Sequence, residues 1–163
     1  GGPVTLTDPE MLRFFMSIDD AVRLIFKATR LMRGREVFIL KMPVIRIGDL
    51  AQAVIDTYAP RYGKKPEDMP TTVIGRQIGE RVYEKLLGRD ECRNALELED
   101  MFVIGPHVDP RYDARMQPAD YPDAKPVERA EYTTETQIAS LLTPEAIREL
   151  LVTSEEYINE ALW

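Results

Sequence analysis

The sequence predicts an α/β fold. Three observations carry that prediction. β-favouring runs alternate with helix-period segments from Val4 to Leu87 in the order β-α-β-α-β-α, which asks for helices layered on a sheet with at least some parallel pairing. The 163 residues are the size of one ordinary domain. An apolar fraction of 44% beside 30% charged residues is that of a globular chain able to bury a real core.

Val4-Thr5-Leu6-Thr7 has strand composition and ends at Asp8-Pro9, where proline stops a central strand. Ser17 is a good helix N-cap with Asp19 and Asp20 in the first turn. Apolar residues then recur at Ile18, Ala21, Val22, Ile25, Ala28 and Met32 until Gly34, predicting a helix that buries this one face. Glu36-Val37-Phe38-Ile39-Leu40 is a short, nearly continuous apolar run, as in a strand covered on both faces. Ile47 to Tyr58 follows as a helix with Ile47, Leu50, Ala51, Val54 and Tyr58 on one side. Pro60 to Pro70 is polar, proline-broken and loop-like, and Thr71-Thr72-Val73-Ile74 is a third strand. Gly75 to Gly79 reads as a turn, and Glu80 to Leu87 as a helix burying Val82, Leu86 and Leu87. Such a sheet needs other strands to be complete.

Past Gly88 the character changes. Asp90 to Asp100 is acidic and helical early on, and Met101-Phe102-Val103-Ile104 is a fourth strand. Residues 106–126 hold five prolines in 21 positions with no hydrophobic period, predicting an extended arm or a disordered loop. Thr143-Pro144-Glu145 opens a helix through Leu151, and Ser154 a second to about Leu162. The expected organisation is an α/β region over 1–105, a Pro-rich arm over 106–131 and a helical segment over 132–163.

Charge is uneven along the chain. Residues 1–89 carry 15 Lys and Arg against 11 Asp and Glu, residues 90–163 carry 6 against 17, and the balances are +4 and −11. The first half suits a small phosphate-bearing ligand but lacks the clustered cations of a nucleic-acid binder. The acidic second half repels nucleic acid and anionic membranes. No run approaches the ~18 apolar residues of a membrane span, and Gly1-Gly2-Pro3-Val4 is no signal peptide, so the expected location is cytoplasmic. One cysteine, Cys92, and one histidine, His107, argue against an intrachain disulfide, a thiolate cluster or a His-based zinc site.

Two segments are candidates for chemistry. Asp8-Pro9-Glu10-Met11-Leu12-Arg13-Phe14-Phe15-Met16-Ser17 sets a lone cation, Arg13, between a strand signal and a helix start, so Arg13 is either a surface arginine or an anion contact whose field the helix N–H groups would reinforce. Gly75-Arg76-Gln77-Ile78-Gly79-Glu80 is a glycine-flanked turn with neither the Walker nor the dinucleotide spacing, and read alone it is a capped turn. Tyr121-Pro122-Asp123-Ala124-Lys125 spells a Tyr-x-x-x-Lys pair, but its prolines bar the helix on which such a pair must lie one turn apart. No nucleophile and base stand in a catalytic arrangement.

Several stretches, in order, resemble one family. Pro3-Val4-Thr5-Leu6-Thr7-Asp8-Pro9 through Arg13-Phe14-Phe15 is similar to a segment carrying Thr-Arg-Phe in the extended short-chain dehydrogenase/reductases of polysaccharide biosynthesis, most closely the inverting UDP-N-acetylglucosamine 4,6-dehydratases and their capsule-synthesis relatives. Glu36 to Pro43 with Ile47-Gly48-Asp49-Leu50-Ala51, Gly79-Glu80-Arg81-Val82-Tyr83-Glu84, Leu96 to Ile104 and Glu131-Tyr132-Thr133-Thr134 continue the match.

The resemblance implies the C-terminal, substrate-binding half of an extended Rossmann-type nucleotide-sugar enzyme. Its implied contacts to a UDP-sugar are Arg13 on phosphate, Thr5 and Leu6 near the base and Glu80 near the ribose. The same resemblance places NAD(P), the glycine-rich cofactor turn and the catalytic residues in the parent enzyme's other half, so this chain is expected to bind no cofactor and to be inactive alone. Where the family has arginine-proline before Gly-Glu-Lys, this chain has Gln77-Ile78, with Arg76 displaced by one residue. Either Arg76 reaches in from the side or a neutral donor holds the diphosphate, at a cost on the order of 1 kcal/mol. Two other readings stay open: the C-terminal half of a simple UDP-sugar 4-epimerase, and a free-standing, non-catalytic interaction domain. Homo-oligomerisation to cover an open sheet edge is also expected.

Overall fold

In the computed structural model, which describes residues 2–105 and 118–161, the longest sheet is antiparallel in the order β3-β8-β7-β9: β3 (Val37–Leu40), β8 (Met101–Ile104), β7 (Ala95–Glu97) and β9 (Lys125–Pro126). Alternate residues of β8 go to opposite faces, as the period of two requires. Phe102 joins Leu87, Cys92, Ala95 and Tyr132 on one face. Met101 and Val103 join Leu96, Leu98 and Tyr121 on the other. Phe38 and Ile39 split between the same two clusters, so β3 is partly covered on both faces, but at the edge of the sheet none of its residues is buried and Val37 is exposed. Pro126 lies at the opposite edge, where a missing N–H costs no ladder bond.

Three two-stranded pairs frame this sheet. β1 (Val4–Leu6) runs parallel to β5 (Thr71–Val73), the one parallel pair among the described strands. β2 (Leu12–Phe14) is antiparallel to β4 (Val44–Arg46), and β6 (Lys85–Leu87) is antiparallel to β10 (Tyr132–Thr133). α1 (Ile18–Leu31) has the expected cap: the Ser17 hydroxyl accepts from Asp20 N at 3.1 Å and Ser17 N donates to the Asp20 carboxylate at 3.2 Å. α2 (Ile47–Tyr58) matches its predicted limits, and the short α3 (Arg89–Cys92) supplies the early helical turn of the acidic stretch. α4 (Pro144–Ala161) packs on α2 around Ile45, Ala53 and Ile147.

Four expectations are corrected. Residues 80–87 form no helix: Leu87, fully buried, pairs with Tyr132, and Leu12 N donates to Val82 O at 3.2 Å, so long-range strand pairing wins over a weak local pattern. The face of α1 that carries Ile18, Val22, Ile25 and Met32 is exposed, and Leu24 and Leu31, from the other side, pack on the sheet. On α2 the buried residues are Ala51, Ala53 and Ile55, which lie on two sides of the helix, while Val54 of the expected face is exposed. The two C-terminal helices are one, because no glycine or proline separates Leu151 from Ser154.

His107 and residues 106–117 of the Pro-rich stretch lie outside the described residues. Tyr121 is buried, its hydroxyl donates to Glu36 Oε1 at 3.0 Å, and burial first, then that carboxylate, push its pKa up to about 12. Lys125 stands on exposed β9, so Tyr121 and Lys125 do not share a helical face.

Candidate functional site

The carboxyl ends of β1 and β5 bring together most of the residues singled out from the sequence. Thr5 stands opposite Thr72, and Ile74 N donates to Leu6 O at 2.8 Å, which carries the pairing one residue past β5. Just beyond Leu6, Thr7 Oγ1 donates to Glu80 Oε1 at 2.6 Å, and Gln77 N donates to Glu80 Oε2 at 3.1 Å. Glu80 N in turn donates to Gln77 O at 3.1 Å, closing the turn. The path between β5 and Glu80 needs Gly75 and Gly79, at φ +84° and +87°, a region that costs an L side chain strain. Arg76, within this turn, has its Nε 3.4 Å from Asp8 Oδ2, while Asp8 Oδ1 accepts from Glu10 N at 2.9 Å.

Glu80 is therefore fixed as an ionised acceptor. The Thr7 hydroxyl bond, then the Gln77 N–H, and more weakly the Arg13 charge hold its carboxyl below the ordinary value of 4.5, against opposing contributions from partial burial and Asp8. A carboxylate with two oxygens so oriented accepts from paired hydroxyls.

Arg13 lies on β2 and not at a helix start. The first turn of α1, four residues further on, is filled by the Ser17 and Asp20 cap and carries two carboxylates, so it adds nothing favourable for an anion at Arg13. The guanidinium donates from Nη1 to Leu12 O at 2.8 Å and Val82 O at 3.4 Å, and from Nη2 to Arg81 O at 2.8 Å. Its Nε is 3.8 Å from Glu84 Oε1, and the other Glu84 oxygen accepts from Phe14 N at 2.8 Å. Arg13 thus ties residues 81–84 to β2. With five N–H donors in a planar fork, it meets a phosphate only in competition with those carbonyls, so an anion at Arg13 and the path of residues 81–84 are coupled.

Beside this tie opens a 570 Å³ cleft with Phe14, Phe15, Met16 and Met42 on its apolar side and Arg81, Glu84 and Lys85 at its polar side. Reading the sequence missed Thr7, Asp8 and Glu84. Thr7 and Asp8 directly follow Leu6, and only the fold shows that they face a turn about seventy residues away. Among the described residues no group of three or more His, Cys, Asp or Glu side chains is placed to hold a metal.

A family model described as "Polysaccharide biosynthesis protein" matches residues 1–106. The chain belongs to the polysaccharide biosynthesis protein family. Family relatives include an uncharacterized membrane protein of Methanocaldococcus jannaschii, 55% identical over 107 residues, which are 66% of this chain and 32% of that protein. A UDP-N-acetylglucosamine 4,6-dehydratase (inverting) of Campylobacter jejuni is 32% identical over 63% of this chain and 28% of its own length. A UDP-glucose 4-epimerase of Rickettsia canadensis is 34% identical over 64% and 28%. The chain spans about a third of the length of these relatives. The X-ray structure of Pen from Bacillus thuringiensis superposes with a TM-score of 0.78 at 32% identity, covering 94% of this chain and 41% of that one. Although one relative is named a membrane protein, no helix among the described residues is long and apolar enough to cross a membrane.

Proposed function

We propose that this chain binds the nucleotide part of a UDP-sugar, as the substrate-binding portion of a UDP-sugar 4,6-dehydratase or 4-epimerase in polysaccharide biosynthesis. The observation that carries this reading is the gathering of Thr5, Leu6, Gln77 and Glu80 at the carboxyl ends of the parallel pair β1–β5, where open α/β sheets hold their ligands. Relatives named as a UDP-N-acetylglucosamine dehydratase and a UDP-glucose epimerase support the ligand class.

In this reading the oriented Glu80 carboxylate accepts from the ribose hydroxyls, Thr5 and Leu6 lie against the base, and Arg13 meets the diphosphate. Gln77 stands where the family carries an arginine, and Arg76, held near Asp8, reaches the phosphates by exchanging that carboxylate for them. The apolar cleft beside Arg13 receives the sugar. NAD(P), which carries the hydride in such enzymes, is assigned to a part of the enzyme beyond these residues. The Gly75–Gly79 turn feeds β6 and not a helix, so it offers a pyrophosphate no helix N-terminus.

Calorimetry with UDP tests the reading. The chain is expected to bind UDP weakly and Arg13→Ala to abolish the heat; tight binding indifferent to Arg13 removes the assignment.

A further inference from the structure

The segment Tyr132 to Thr134 lies outside residues 1–106, the part that the family model matches, yet it fixes three parts of the candidate site. Thr134 has no solvent exposure and holds the backbone of Glu84 twice: Thr134 N donates to Glu84 O at 3.0 Å, and Glu84 N donates to the Thr134 hydroxyl at 3.1 Å. Tyr132, also buried, stacks on Phe14 with ring centroids 4.9 Å apart. Its hydroxyl accepts from Met42 N at 2.9 Å and donates to Met42 O at 3.3 Å. Phe14, Met42 and Glu84 all line the cleft beside Arg13.

Glu84 carries this hold to Arg13. Residues 80–84 belong to no helix or strand, so the position of Glu84 comes from its tertiary bonds. One of its carboxylate oxygens accepts from Phe14 N at 2.8 Å, and the other is 3.8 Å from Arg13 Nε. The guanidinium also donates to Arg81 O at 2.8 Å and Val82 O at 3.4 Å, so Thr134 anchors the end of the segment that supplies acceptors to Arg13. Packing alone does not ask for a hydroxyl at Thr134. Valine fills the same space, and a buried hydroxyl is tolerated only where it is bonded, here to Glu84 N. The turn behind it is fixed as well: Thr136 N donates to Thr133 Oγ1 at 3.1 Å, and Thr133 N donates to Thr136 Oγ1 at 3.0 Å.

We propose that Thr134 is a positioning residue for the anion contact at Arg13, acting through Glu84, with Tyr132 setting Phe14 and Met42 on the adjoining wall of the cleft. The inference rests on the reading that Arg13 meets the diphosphate. Without the hydroxyl, Glu84 N loses its acceptor and residues 81–84 shift, and the guanidinium fork loses the geometry that a paired contact to phosphate oxygens needs. Serine at position 134 keeps the hydroxyl and valine keeps the shape. Only serine preserves the hold on Glu84.

A heteronuclear NMR titration of the 163-residue chain with UDP tests it, following the Arg13 Nε–H signal in wild type, Thr134→Val and Thr134→Ser, with circular dichroism confirming that each is folded. Thr134→Val is expected to displace or broaden that signal before any UDP is added, and to raise the UDP dissociation constant about fivefold, the change that one lost neutral hydrogen bond brings. Thr134→Ser is expected to keep the wild-type signal and affinity. Thr134→Ala repeats the comparison if the valine variant does not fold. UDP binding that depends on Arg13 but is unchanged in Thr134→Val overturns this inference alone, and so does a serine variant that behaves as the valine one. A wild-type Arg13 signal indifferent to saturating UDP overturns the phosphate reading of Arg13 and this inference with it.

Discussion

Glu80 shows how neighbours fix the ionised form of a single side chain. Its carboxyl is held below 4.5 chiefly by the Thr7 hydroxyl, so Thr7→Val should raise the Glu80 pKa toward that ordinary value, read by side-chain NMR titration. The sign for stability follows. A carboxyl depressed in the folded state stabilises the fold above its unfolded pKa, and that contribution disappears as pH falls through the lower, folded value. Urea denaturation should therefore show wild type losing more stability than Glu80→Gln as pH drops below about 4.5, and parallel curves would refute the Thr7–Glu80 coupling. Arg13 has a structural task as well as its proposed ligand. Removing its bonds to the carbonyls of Leu12 and Arg81 should cost on the order of 1–2 kcal/mol in Arg13→Ala, measured by chemical denaturation. Arg13→Lys keeps the charge but not the fork and should recover little of that loss.

At the level of elements, the joining segment between the glycine turn and β6 decides the site. Had residues 80–87 been helical, Glu80 and Glu84 would lie one turn apart on a single face. As a turn and a strand they separate, Glu80 to the β1 end and Glu84 to Phe14 N and Arg13. Leu87, with no solvent exposure, is the anchor: Leu87→Ala should cost about 2–4 kcal/mol in a denaturation experiment, whereas on a frayed surface helix it would cost far less. Elements with enough local signal were legible in the sequence. The limits of α2, the cap at Ser17 and the run 101–104 all agree with the structure, because a helix period, a capping box and a bounded apolar run each need only neighbouring residues. The short strands β2, β4 and β10 were not legible, since two or three residues carry no period and their pairing partners stand 30 to 50 positions away, whereas β1 and β5, also of three residues, were marked by β-favouring composition. The same blindness reversed α1: its strong amphipathic stripe identified the helix correctly, but nothing local says whether such a stripe faces the chain's own core or another surface.

Across the whole molecule, ordered matches to the polysaccharide biosynthesis family identified the right kinship, and the mixed parallel and antiparallel architecture agrees with an α/β class. The candidate site was legible in part. Thr5, Leu6, Gln77 and Glu80 came from the resemblance and converge in space, but the roles of Thr7, Asp8 and Glu84 depend on contacts spanning about seventy positions that no spacing rule encodes. The central claim is the proposal that the carboxyl ends of β1 and β5 hold UDP. The most direct test is a backbone NMR titration of the chain with UDP. The amides of Thr5–Asp8, Arg13 and Arg76–Glu84 should shift together with one dissociation constant, with residues 81–84 responding because Arg13 ties them to β2. Shifts confined to other regions, or no shifts at saturating UDP, would contradict it.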